Sequence, residues 1–343
     1  MSCMSCMSRR LLTLALTVPL LVGLLAGCGS AGGSDEESGA ASGEAPARSG
    51  EPTERSEQLR TDLTGTCLAD GTAEGRQTPE LAWLDAAPGA SDRDVLQAAV
   101  DGAEKDLDLT ASMGVRVSGG ENTTAGGERT YPSASLSKVP VALAYLTTLR
   151  ESGQEPTEQD LALIDTALVY SDNDAASQLY GGLGATPLEQ QAALQEMDDL
   201  LGMDNGAETD LPGLNPTSVD DQLRLLAALQ DPPEGLDADD VSTVTELMAV
   251  PAPGRQTPDE SKDFGVGSLA LPLEYPAADD VHVKNGWIAD DDSGLWSAGT
   301  AGYATVQGTD LEMVVLLEDA PSAECGFSTL DAMAHAGMQT AGS

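Results

Sequence analysis

Ser135-Leu136-Ser137-Lys138 sets a hydroxyl and an amine three residues apart at what reads as the start of a helix, LSKVPVALAYLTTLRE. Positions i and i+3 share a helical face, so the Ser135 hydroxyl and the Lys138 amine can meet. A serine hydroxyl is a poor nucleophile at neutral pH and needs a base. A lysine serves when desolvation or positive neighbours lower its pKa. Backbone N–H groups at the helix start suit a developing oxyanion. Lysine is scarce here, with only Lys105, Lys138, Lys262 and Lys284 in 343 residues, so one so placed invites a chemical reading. Alone the spacing is a weak signal, because Ser135 could simply cap a helix.

Two more short segments carry reactive types: Tyr170-Ser171-Asp172-Asn173, followed by Asp174-Ala175-Ala176, and Lys284-Asn285-Gly286-Trp287. In isolation the first suits a turn or cap and the second a hairpin turn. There is no glycine-rich phosphate loop and no metal-ligand spacing. Two histidines and few cysteines do not make a zinc site, so neither metal nor cofactor is expected. His282 lies two residues before Lys284, on the same strand face, and His335 falls on the last helix. No motif sets either beside Ser135, which disfavours a Ser-His-Asp triad.

The elements that must position these residues follow from periodicity. Apolar spacing predicts a helix over 92–107, a strand over 111–120 and a hairpin arm over 121–132. Residues 156–230 read as mainly helical, 280–318 as successive strands, and the tail as a closing helix. Strands at both ends with helices between them predict an α+β fold rather than a parallel βαβ sheet.

S-x-x-K, then S-D-N, then K-[T/S]-G is an ordered set with known mechanics. YPSASLSKV, YSDNDAA and VKNGW resemble its three members as found in the penicillin-recognising serine hydrolases, nearest the class A β-lactamase-like group. The resemblance covers about residues 90–340. It implies a β-lactamase/DD-peptidase-like fold: an antiparallel sheet flanked by helices, with an all-helical subdomain over about 135–265 and the site between them. Ser135 then resembles the acylated nucleophile and Lys138 its base or proton relay. Ser171 resembles the hydroxyl that protonates the leaving nitrogen. Asn173 resembles an amide holding substrate and Lys138, and Lys284 a cation fixing a substrate carboxylate. Asn285, Gly286 and Trp287 complete the substrate-binding edge, with the N–H groups of Ser135 and Trp287 as the oxyanion hole. Asp172 reads as a brace for its loop.

Three departures qualify the resemblance. Asn285 stands where Thr or Ser is usual, and Trp287 would narrow the edge of the site. Only 36 residues separate Ser135 from Ser171, which is compact for the group. The acid that activates water for deacylation has no clear counterpart: Glu208 is the candidate, with Asp210 second, in AETDLPGLNP. The expected function is a serine hydrolase forming an acyl-enzyme on Ser135 with an amide or β-lactam. The alternatives are a cell-wall D-Ala-D-Ala peptidase or acyltransferase, and a ligand-binding lipoprotein with a degenerate site. The partner is a β-lactam or cell-wall peptide, and the chain is expected to be a monomer.

Arg9-Arg10 precedes LLTLALTVPLLVGLLAGC, an apolar run too short for a comfortable membrane span. Leu25-Ala26-Gly27-Cys28 resembles the lipobox of a bacterial lipoprotein signal. It implies cleavage after residue 27, a diacylated Cys28, and a protein anchored to the outer face of the cell membrane, exported by the Sec or twin-arginine route. Residues 28–80, rich in Gly, Ser, Ala and acid, read as a disordered tether, with the folded domain over 81–343. In an oxidising compartment the two leftover cysteines, Cys67 and Cys325, suggest a disulfide that clips the N-terminal segment to the domain, with two free thiols as the alternative. With 57 acidic against 16 basic residues, nucleic acid is excluded as a partner.

Overall fold

The computed structural model describes residues 53–68, 80–87, 89–271 and 278–342. The signal segment, Cys28 and most of the tether lie outside the described residues.

The central sheet is antiparallel with strand order β2-β1-β7-β6-β5. β1 is Thr110–Val117, β2 Thr123–Ala125, β5 Asp279–Ala289, β6 Trp296–Val306 and β7 Thr309–Ala320. Two short strands, β3 (Thr130–Pro132) and β4 (Pro216–Ser218), pair apart from it. β7 sits mid-sheet and is buried on both faces, which is why MVVLL is a continuous apolar run. Its alternation divides two cores: Met313, Val315 and Leu317 face one side, Val314 and Leu316 the other.

On the first face lie α1 (Glu54–Cys67), α2 (Asp92–Leu107) and α9 (Ala323–Met338). The second core joins the sheet to α3 (Lys138–Glu151), α4 (Glu158–Val169), α5 (Asn173–Gly181), α6 (Pro187–Leu200), α7 (Val219–Gln230) and α8 (Ala238–Met248). Serine, threonine and aspartate caps start most of these helices. Thr157, Thr186 and Ser218 each form a reciprocal capping box with the acid three residues on. The result is the α+β arrangement that the pattern of strands and helices predicts.

The tether expected up to residue 80 is corrected by α1. Thr53 and Ser56 cap each other across its first turn. Leu59 and Leu63, one turn apart, are fully buried against the α9 side of the domain. Each buried leucine contributes about 1.5–3 kcal/mol. A disulfide joins Cys67 at the end of α1 to Cys325 at the start of α9. It closes a loop spanning 258 residues, so it restricts the unfolded chain strongly. Reduction should cost about 2–4 kcal/mol and lower Tm by roughly 5–15 °C. Calorimetry with and without reductant checks this. An unchanged Tm would mean that the leucines alone hold α1.

Candidate active site

Ser135 lies in a 3-10 turn, Ala134–Ser137, that runs directly into α3. Lys138 follows as the first residue of α3, so a single turn of chain carries both Ser135 and Lys138 to one cleft. Ala134, just before Ser135, has φ 45°. Such left-handed backbone is costly for a residue with a Cβ and marks a position held by its surroundings. Ser133 on the other side of Ala134 is tied down by its N–H to Asn215 O and its hydroxyl to Pro212 O, at 2.9 and 2.8 Å. The Ser135 hydroxyl donates to and accepts from no group among the described residues, and its N–H finds no acceptor there.

Lys138 is 5 % exposed. Its Nζ donates to the Ser171 carbonyl, to Asn173 Oδ1 at 2.8 Å and to Ser171 Oγ at 3.3 Å. Burial pulls its amine down to about 8, against a smaller opposing pull from Asp172. Ser171 joins α4 to α5 with φ 54°, again left-handed. That conformation lets both its carbonyl and its hydroxyl meet Lys138. Asp172 stabilises the turn by capping α5, its Oδ1 accepting from Ala175 N at 2.7 Å. From β5, the outer strand, Lys284 reaches the same hydroxyl: Nζ donates to Ser171 Oγ and to Asn285 O, both at 2.8 Å. Burial, with Lys138 and Lys262 nearby, holds the Lys284 amine well below the ordinary lysine value. One serine hydroxyl thus lies between two amines whose pKa values are both lowered.

Gly286 brings β5 against the Ser135 turn. A Cβ there would lie 2.8 Å from Ser135 N and 3.0 Å from Leu136 N, so only glycine allows this approach. Ser135, Lys138, Ser171, Asn173 and Trp287 line one cleft of about 630 Å³, a volume suited to a small-molecule or peptide substrate.

No protein-family model matches the sequence, and no curated protein matches it. Solved structures do. A β-lactamase from Sphaerobacter thermophilus DSM 20745 superposes with a TM-score of 0.57 at 18% identity, over 72% of this chain and 96% of that one. The TLA-1 extended-spectrum β-lactamase gives 0.59 at 15% identity, over 73% and 99%. A PBP-A mutant, solved as an acyl-enzyme complex with penicillin G, gives 0.54 at 19% identity, over 73% and 94%. The chain carries the class A β-lactamase-like fold.

Within this β-lactamase-like fold some expected site residues stand elsewhere. Neighbouring strand residues face opposite ways, so with Lys284 turned to Ser171, Asn285 turns away from the cleft. It is fully buried, and its Nδ2 donates to Phe264 O at 2.9 Å and Ser261 O at 3.2 Å. Asn285 therefore holds β5 to the 259–270 segment and does not line the cleft, where a substrate-binding role was expected. Trp287 borders the cleft but does not close it. Its ring packs edge-on against Phe264 and Phe327, with centroids 5.6 and 5.5 Å away. Asn285→Ala should cost about 1–3 kcal/mol by stranding two carbonyls, with KM unchanged. Denaturant midpoints and substrate titration check both. A raised KM at full stability would restore the substrate role.

Glu208 is exposed and does not line the cleft. Its neighbours are pinned: Ala207 N donates to Gln195 Oε1 at 2.9 Å and Thr209 N to Asn215 Oδ1 at 2.7 Å. The side chain between them is left pointing outward. The second candidate, Asp210, does line the cleft. His282 engages Thr245 O at 2.8 Å and stacks on Tyr303, outside the site. His335 is buried on α9, and burial lowers its pKa to about 4.

Two residues were missed from sequence. Lys262 is 1 % exposed, donates to Leu247 O and Ala249 O, and is drawn down to about 7 by burial. Its scarcity was the available signal, since three of the four lysines are buried, Lys138 in the cleft wall and Lys262 and Lys284 outside the lining. Tyr180 lines the cleft wall, and burial beside Asp210 raises its phenol pKa.

Proposed function

We propose that the chain is a serine hydrolase that forms an acyl-enzyme on Ser135 from an amide or β-lactam carbonyl. The observation that carries this reading is the Ser171 hydroxyl bonded by Lys138 and Lys284 in the cleft that also holds the unpartnered Ser135 hydroxyl.

The proposed steps use the Lys138, Ser171 and Lys284 hydrogen bonds and the shared cleft of Ser135 and Lys138. Neutral Lys138 takes the proton from Ser135 Oγ as that oxygen attacks the carbonyl carbon. The oxyanion meets the free Ser135 N–H and, opposite it on β5, the N–H of Trp287. Ser171 then gives its proton to the leaving nitrogen and regains one from the Lys138 ammonium, along the 3.3 Å contact. The C–N bond breaks and the acyl group stays on Ser135 Oγ. Lys284 keeps the Ser171 hydroxyl oriented, and Asn173 orients Lys138.

Water attack on the ester needs a base. Glu208 faces solvent outside the cleft, and Asp210, exposed at the cleft wall, makes no hydrogen bond to Ser135, Lys138 or Ser171 among the described residues, so neither acid is held as that base and the acyl-enzyme is expected to persist. This favours a penicillin-binding or cell-wall peptidase role over rapid drug hydrolysis. The lipobox-like Leu25–Cys28 supports anchoring through Cys28 at the outer face of the membrane, where such peptides lie. Incubation with a β-lactam followed by peptide mapping tests the reading. A modified Ser135 supports it, and modification at another residue contradicts it.

A further inference from the structure

A second cleft of about 770 Å³ opens where β1, β6 and β7 meet the C-terminal ends of α6 and α7. It shares no lining residue with the Ser135 cleft. Its floor is a row of cross-strand partners, Arg116 opposite Glu312 and Glu312 opposite Tyr303, and the row continues beyond the cleft to His282 opposite Tyr303. Residues directly opposite one another share a sheet face, so these four side chains form one polar band.

The band is electrically incomplete. Arg116 Nη2 donates to Glu312 Oε1, which leaves Arg116 Nε and Glu312 Oε2 buried without partners among the described residues. Glu312 is only 8 % exposed yet lines the cleft. A buried carboxylate oxygen without a donor costs free energy that a ligand donor would recover. Burial raises the Glu312 carboxyl above its ordinary pKa and Arg116 opposes that rise.

The surroundings select the sign of the ligand. Asp231, Asp280 and Asp310 stand at the rim, all exposed. The C-terminal ends of α6 and α7, Leu200 and Gln230, also border the space, and helix C-termini carry partial negative charge. Arg116 is the one cation in the lining, and Glu312 already engages it. The walls between are apolar, with Leu201, Ala227 and Leu311, and suit methylene groups.

We propose that this cleft binds an aliphatic-chain cation, a primary ammonium or guanidinium, with its head at Glu312 Oε2 and its stem along the apolar walls. The source is either a free polyamine or a basic side chain of a peptide. The site is independent of the acyl chemistry at Ser135.

Calorimetric titration of the intact protein tests this, with spermidine as the free amine and acetyl-lysine amide as the peptide side chain. The expected result is one saturable site, weakened about tenfold or more by Glu312→Gln and unchanged by Ser135→Ala. The ligand that binds tighter assigns the source. Should Glu312→Gln fail to fold, Asp231→Asn with Asp280→Asn at the exposed rim gives a second reading, a weakening of about threefold to tenfold. Many weak sites without saturation, or binding unmoved by these variants, would overturn the proposal and reduce it to the general pull of a chain of net charge -41.

Discussion

Ser135→Ala should abolish covalent acylation and lower any hydrolysis by about 10⁴-fold or more, with Tm unchanged. The size follows from the role. The remaining cleft can still bind a substrate and polarise its carbonyl, but no oxygen within it replaces the attacking atom. Ser137, two residues on, also borders the cleft, but its hydroxyl is donated to Ala134 O at 2.7 Å. Ser171 is held by two amines and belongs to the proton path. The fold should not suffer, because the Ser135 hydroxyl makes no hydrogen bond among the described residues. Acylation measured by mass, beside a thermal melt, checks both halves. Persistent labelling of a stable Ser135→Ala protein would move the nucleophile elsewhere.

The acylation rate should rise about tenfold per pH unit up to about pH 8 and level off above it. The reactive form of Lys138 is the neutral amine. With its pKa at about 8, about a tenth is neutral at pH 7, roughly 300-fold more than for an ordinary lysine. Burial is the main cause, so the effect belongs to the folded state. The same shift has a stability consequence. A lysine whose folded pKa lies below its unfolded value binds fewer protons when folded, so its cost to stability is full below pH 8 and fades as pH rises towards 10.5. Lys138→Ala should lower acylation by about 10²–10⁴-fold and remove the pH dependence. Single-turnover rates between pH 6 and 9 would show this. A flat profile in the unaltered protein would remove Lys138 as the base.

The three motifs were legible because each is a short local segment whose geometry is set by its own element. Ser135 and Lys138 are carried to one cleft by a single turn, and Ser171 and Asn173 flank one helix cap. That all three converge on Ser171 Oγ depends on the sheet, yet their order in the chain carried the likeness. Asn285 shows what the motif alone concealed. Lys284 turns to Ser171, while Asn285 spends its amide on Phe264 O and Ser261 O, contacts with a distant segment that no local pattern reveals. Glu208 could not be placed from sequence. Its outward turn depends on Gln195 and Asn215, which hold its neighbours from other parts of the chain. α1 was hidden for a different reason: two leucines in a polar stretch vanish in an averaged composition, but they suffice when α9 covers them and Cys67 is tied to Cys325.

The central claim is that Ser135 is acylated through the Lys138–Ser171–Lys284 network. Intact mass of the protein, followed over time after mixing with benzylpenicillin, tests it most directly. The account predicts a single adduct of the drug's mass that accumulates on Ser135 and decays slowly. No adduct with the drug left intact, or an adduct of the same yield in Ser135→Ala, would contradict it.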